Sequence, residues 1–453
     1  MVIGVMKNFG LQEMAGDSAP RPALEQARAE HARPSGAVAA AQGRFTKSPA
    51  AGFLRCPTFG LLGFLPLAFL LLPAPAKAQA ETPIVREGRY WVQTVTGSLA
   101  AVSGGRLRIT SFGGISVQGE AGSQVRYVAR KRVRAGSEAE ARKWLEQAAV
   151  RASRQGATVV VVASDPQCGH CGFSADLQVT APRSTDETIL ATRGGSLQAY
   201  DLDGRVNAQT AGGSIQMDRI GKSVRAETAG GSIKLGSIGG PVRCETAGGA
   251  IQLGTAKGDA VLTTNGGSID ADEVGGSLRA ETAGGSIHVR RVAQSVNAET
   301  AGGSILLGQI GGSVNAETAG GSITVEAAPG GVHAENAAGS IRLLDVAGAL
   351  RASTAAGNIW AQLMANHPLA DSTLDASAGS IVVLIPDGAR LTLRASVDVA
   401  STLNRIRCEF PGIVVRMDQG SGPRGLVAEG MLNGGGPVLR IRNTTGSIEI
   451  RRR

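Results

Sequence analysis

Aromatic side chains are scarce in this chain. Phe, Trp and Tyr together make 3% of 453 residues. A core without aromatics must be thin and built from small aliphatic side chains. Cysteine is scarce too, with five in all, which excludes a dense disulfide framework. No Gly-x-y triplet runs through the 64 glycines, so collagen is excluded. The hydrophobic share of 42% is too high for a disordered chain. The net charge of +9 falls to +5 without residues 1–80, which hold eight basic and four acidic residues. No nucleic-acid partner is expected from so mild an excess. Arg-rich patches that touch anionic polymer or lipid headgroups stand against a merely solvated basic surface.

What the chain has in plenty is glycine at a fixed interval. Ala-Glu-Thr-Ala-Gly-Gly-Ser-Ile reads in full at Ala226–Ile233, Ala280–Ile287, Ala298–Ile305 and Ala316–Ile323. With the Ser as position zero, the register runs Ser196, Ser214, Ser232, Ala250, Ser268, Ser286, Ser304, Ser322, Ser340, Asn358, each 18 residues from the last. Position +1 is Leu197 and then Ile in every copy, +3 and +6 are apolar, −8 is mostly Val and −6 mostly Ala. Apolar residues thus alternate with a period of two, the strand period. Each unit holds two short strands, near −8 to −4 and 0 to +4, with a turn after each. The segments are too short and too Gly-rich for helices. One unit cannot bury its apolar face alone, and stacked units can, at a spacing of ~4.8 Å. The expected fold is all-β, a β-solenoid of 18-residue coils with two strands per coil. The Ala-Gly-Gly turn is expected to need glycine for positive φ.

Stacking makes each position a column. Position −4 is a Thr column expected to satisfy its own hydroxyls; an ice-binding face would need two outward Thr per coil. Position −5 is a Glu column, compensated at −7 by Arg225, Arg243, Arg279 and Arg351. Beside Glu299, Glu317 and Glu335 the −7 residues are Asn297, Asn315 and His333. These three glutamates form the candidate surface stripe, for a cation or a partner, against the alternative of a solvated face. The regular Asp of the calcium-binding nonapeptide repeat is absent. The stacked Glu is imposed by the repeat and is not the paired acid and base of a glycosidase. No catalytic residue, metal or cofactor is expected, and the chain is read as a non-enzyme.

Five segments follow: 1–52, a disordered or mis-annotated extension; 53–80, a signal peptide; 81–185, a strand region with a helix at 137–155; 186–361, the regular solenoid; and 362–453, an irregular solenoid end or cap. The leader rests on Arg55, the apolar run Phe59–Leu72 and the Ala-x-Ala sites Ala76-Lys77-Ala78 and Ala78-Gln79-Ala80. The run is short for a spanning helix, yet an uncleaved anchor stays open as the one route to a membrane. The leader implies an extracytoplasmic location: periplasm, cell surface or medium. Ser137 is the expected N-cap of the helix.

Cys168-Gly-His-Cys171 has the spacing of thiol oxidoreductases. That chemistry wants the first Cys at a helix N-terminus, and here strand-like segments flank the motif on both sides, placing it in a hairpin loop. A local Cys168–Cys171 disulfide is the expectation in an exported chain. A thiol or metal protein that uses Cys168, His170 and Cys171 is the alternative, and a metal would need one more ligand. Cys244 falls at −6 and belongs in the core; Cys408 is unassigned.

The opening strand pair, the helix, LQVTAP ending in Pro182, the T-x-x-G-x-I coils, Gly379–Pro386 (GSIVVLIP) and the closing TGSIEI resemble a bacterial β-solenoid family known as "putative adhesin". The resemblance covers about 85–453 and implies no catalytic residues. It implies an adhesin-like scaffold of the cell envelope, with an envelope protein or glycan as partner, or else an envelope-stress sensing component.

Overall fold

The computed structural model describes residues 79–169, 171–399, 405–417 and 425–453. The expected extension, nearly all of the expected leader and His170 lie outside these residues.

A single coil shows how the sequence folds. Val224–Thr228 lies in one sheet, here sheet B. Ala229–Ser232 turns the chain, and Ile233–Ile238 lies in the facing sheet A. The next coil returns to sheet B as Val242–Thr246, pairing in parallel with Val224 opposite Val242 and Thr228 opposite Thr246. Nine successive steps of 18 residues run along sheet B, from Glu187 opposite Arg205 to Glu335 opposite Ser353. Sheet A keeps the same step from Leu197 opposite Ile215 to Ile341 opposite Ile359. The step then lengthens to 22, with Arg351 opposite Thr373 and Ile359 opposite Ile381.

Period-two alternation sends −8, −6 and −4 of sheet B and +1, +3 and +6 of sheet A inward. In one coil these are Val296, Ala298, Thr300, Ile305, Leu307 and Ile310, all buried. They join one continuous apolar column from cap to cap. Each Ile or Leu removed from water contributes about 1.5–3 kcal/mol, so uniform stacking makes up for the missing aromatics.

Two expectations about the turn are corrected. The Thr column points inward, and its hydroxyls do not bond to one another. Thr228 Oγ1 donates to the Gly213 carbonyl of the preceding coil at 2.8 Å and accepts from the Gly231 N–H at 3.2 Å. From Thr210 to Thr318 each Thr of the column thus satisfies two backbone groups at the sheet corner. The glycine before the marker does not have positive φ in the coils from Gly195 to Gly321. Its reason is contact: a Cβ on Gly213 would stand 2.0 Å from the Gly195 carbonyl oxygen.

The ends depart from chain order. The coil Arg106–Ser111 and Ile115–Glu120 lies between a later coil, Thr158–Ala163 and Ser174–Pro182, and the first regular coil. The outer coil is closed by antiparallel strands. Gln124–Val133 and then Tyr90–Ala100 cover its sheet A edge, and Val150–Gln155 covers its sheet B edge. The other end repeats the device. The last strands, Val438–Thr445 and Ile448–Arg452, insert between the Ser372–Ala378 coil and Leu391–Val397 with Ile406–Cys408. Antiparallel Leu426–Leu432 and Val414–Met417 finish that end. Caps of this kind blunt parallel edges that would otherwise template association.

The helix is shorter than expected. It runs Glu138–Gln147 with Ser137 as N-cap, and the segment that follows is the strand Val150–Gln155. Val150 and Ala152 alternate inward, and Gly156 at φ +60° closes a hairpin onto Thr158. Edge pairing on the outer coil overrides helix propensity there. Ala141 and Leu145 of the helix pack with Val133 and Cys171.

Candidate functional site

The outward columns of sheet B carry the most chemistry. Arg225, Arg243 and Arg279 each pair with the Glu two residues on, namely Glu227, Glu245 and Glu281. Strand geometry makes this possible, since residues i and i+2 share a face. At the candidate stripe the partners change. Asn297 Nδ2 donates to Glu299 Oε1 at 2.8 Å and Asn315 Nδ2 to Glu317 Oε1 at 3.0 Å. Asn315 Nδ2 also reaches Asn297 Oδ1 at 2.9 Å. His333 Nε2 lies 3.0 Å from Glu335 Oε1. Glu299 is less isolated from arginine than the sequence suggests, because Arg279 Nη2 stands 4.0 Å from its Oε1. The structure therefore lines up Glu299, Glu317 and Glu335 on consecutive strands, each held by its own −7 neighbour. Among the described residues no group of three or more His, Cys, Asp or Glu side chains is gathered to hold a metal.

Beside these columns runs an open groove of about 800 Å³. Ser277, Ser295 and Ser313 of column −9 line it, as do Asn297, Asn315 and His333 of column −7, with the backbone of column −8 between. It extends along the solenoid axis from Asp259 to Arg351. Its middle carries a short ladder of hydroxyl and amide groups, Ser277, Ser295, Asn297, Ser313 and Asn315, at the strand spacing of ~4.8 Å on a largely apolar lining. Such a ladder can hydrogen-bond an extended chain at regular intervals. The sequence marked the Glu stripe but not the groove. The one signal for it is that column −9 is Ser in three coils running, beside Asn at −7 in the last two.

Cys168 and Cys171 form a disulfide with Cα atoms 5.5 Å apart. Their loop is not a hairpin. It joins Thr158–Ala163 of sheet B to Ser174–Pro182 of sheet A, so it is the turn of the outermost coil, in the place of Ala-Gly-Gly. With both sulfurs joined, neither is a free thiolate. Cys244 is fully buried in the core, and burial pushes its thiol well above the ordinary value. Cys408 is half-buried and its thiol is also raised, by burial first.

Fold and face together define a two-sheet β-solenoid, capped at both ends, with an open axial groove on sheet B. No family model matches the chain, and no curated protein matches it. Among solved structures it is similar to one described as a putative adhesin from Bacteroides fragilis NCTC 9343, at 14% identity and a TM-score of 0.29. That match covers 53% of this chain and 95% of the other. It is also similar to one described as a putative cell adhesion protein from Clostridium sporogenes ATCC 15579, at 8% identity and a TM-score of 0.16. That second match covers 79% of this chain and 99% of the other. Both descriptions coincide with the resemblance drawn from the coil motifs.

Proposed function

We propose that the protein is a non-catalytic, exported binding scaffold of the bacterial envelope, adhesin-like in holding an extended partner along sheet B. The groove beside the Glu stripe is the observation that carries this reading. It is long and open, with the hydroxyl and amide groups of Ser277, Ser295, Asn297, Ser313 and Asn315 set along a largely apolar lining, which suits a polymer or an extended peptide better than a compact small molecule. The carboxylates next to it are spaced along the axis and bonded to their own −7 neighbours, an arrangement unlike an acid and base facing one substrate. A disulfide in the outermost turn suits an oxidising compartment, in keeping with the apolar leader.

The test is retention of envelope fractions by the full chain on a column. With Glu299→Gln, Glu317→Gln and Glu335→Gln combined, retention of the bound component is expected to fall about tenfold or more. Unchanged retention would remove the stripe from the binding face. No retention by the wild-type chain from any envelope fraction would remove the scaffold reading itself.

A further inference from the structure

The outer face of sheet B changes character at its C-terminal end. Where earlier strands read Arg-x-Glu, the last ones read Arg351-x-Ser353, Thr373-x-Asp375, Arg440-x-Arg442 and Arg394-x-Ser396, in that spatial order. The acid that pairs each arginine elsewhere is replaced. Arg351, Arg394, Arg440 and Arg442 are exposed, and none has an ion pair or a hydrogen bond among the described residues. Arg440 stands directly opposite Arg394, about 4.8 Å away at the backbone, and like charges so placed destabilise a sheet. Glu429 faces Arg394 from the other side, but Arg416 holds it at 3.0 Å. Two acids border the patch among the described residues: Asp375, directly opposite Arg442, and the exposed Asp398, whose charge acts on Asp375. Asp375 is partly buried and its Oδ1 makes no hydrogen bond, which leaves the four guanidiniums in excess over the acids beside them.

The patch is continuous with the groove, because Arg351 lines both. The four guanidiniums occupy two adjacent columns in a strip along the axis, where a membrane surface would call for a broad flat patch. Guanidinium forks pair with oxyanions through two parallel N–H donors, and the Ser353 and Ser396 hydroxyls stand on the same face. The geometry points to an acidic polysaccharide, its anionic groups held by Arg351, Arg394, Arg440 and Arg442 and its chain continuing into the groove. This deepens the scaffold reading and rests on it. Glu299, Glu317 and Glu335 lie further along the same face, where carboxylates accept hydrogen bonds from the hydroxyl groups of the chain, so its anionic groups are held at the arginine end. Carboxylate and phosphate substituents share the required oxyanion chemistry.

The full chain is tested for binding to polygalacturonate, to phosphomannan, to neutral dextran and to anionic phospholipid vesicles, each at low and high salt. Polygalacturonate or phosphomannan is expected to bind, with affinity that falls as salt rises, and the stronger of the two identifies the substituent. The combined variant Arg394→Ser, Arg440→Ser, Arg442→Ser is expected to lose on the order of tenfold in that affinity with a melting temperature equal to or above that of wild type, since the like-charge pair is removed. Arg225→Ser, which removes a paired arginine of the same face, is expected to bind as wild type. Arg351→Ser alone provides a second readout if the triple variant does not fold, with a loss of several-fold expected. Equal binding of dextran, equal affinity of the variants, binding of vesicles only, or no binding of either acidic polymer each overturns the assignment. Retention of an envelope component that is indifferent to these substitutions leaves the scaffold reading standing without it.

Discussion

Gly302 and Gly303 sit side by side in one turn for different reasons. A Cβ on Gly302 would find its nearest neighbour 3.6 Å away, an ordinary contact. A Cβ on Gly303 would stand 2.0 Å from the Gly285 carbonyl oxygen, and backbone cannot step aside cheaply. Gly303→Ala is therefore expected to cost about 1–3 kcal/mol by overpacking. Gly302→Ala should leave stability unchanged or raise it slightly, by narrowing the unfolded ensemble. Urea midpoints of the two variants decide the point, and equal midpoints would mean that close approach of coils does not select the second glycine. The sequence shows both glycines at a fixed place but not which is constrained. The constraint comes from an atom 18 residues away, so local turn chemistry pointed to positive φ instead. The Thr column misled in the same way. Its hydroxyl partners are carbonyls 15 residues back, as in Thr300 to Gly285 at 2.8 Å, and no reading of one coil in isolation contains them.

At the scale of single elements, the helix shows where local pattern ends and packing begins. Its N-cap was legible from Ser137, whose hydroxyl accepts from the Glu140 N–H at 3.2 Å. Its end was not, because Ala148 to Gln155 contains nothing that forbids a helix and the competing partner is a strand edge. What holds the last turn is Lys131 of Gln124–Val133, buried to 2% exposure. Its Nζ donates to the Leu145 carbonyl at 2.8 Å, which satisfies an end carbonyl and suits the negative end of the helix dipole. Burial holds this amine below its ordinary value of 10.5, against Glu81 and Glu146, which favour the charged form. The unfolded chain keeps the ordinary value, so between the lowered value and 10.5 it binds more protons than the folded state. Folding then gains stability as pH rises through that window. The neutral amine still donates to Leu145. Wild type is therefore expected to gain on Lys131→Met between about pH 7 and about pH 10. Paired denaturation curves at the two pH values measure the difference, in which other titrations common to both chains cancel. A difference that is flat with pH, or that moves toward Lys131→Met, would show that the amine is not held below its ordinary value.

For the molecule as a whole, the middle was legible and the ends were not, for one physical reason. In the middle, each strand pairs with the strand 18 residues on, so period and register are the same information. At both ends a coil is inserted out of chain order. Arg440 thus comes to lie between Thr373 and Arg394, and an arginine patch forms from residues that no period connects. A stack held by nearest neighbours should accept the loss of one whole unit. Removing residues 295–312 joins Gln294 to Ser313, which takes the place of Ser295 in every column. Removing residues 295–303 joins Gln294 to Ser304 and puts the sheet A strand Ile305–Ile310 where a sheet B strand is due. That brings Ile305 and Leu307 to positions shaped for Val and Ala, and Gln309 to the position of the inward Thr. The 18-residue deletion is expected to remain folded and to keep the oligomeric state of wild type, with a melting temperature within about 5 °C of it. The 9-residue deletion is expected to lose cooperative melting or to associate through mispaired edges. Circular dichroism melts and size-exclusion chromatography on the two chains give the answer. Equal tolerance of both deletions would mean that the two half-coils are interchangeable and that the division into two sheets does not depend on side-chain volume.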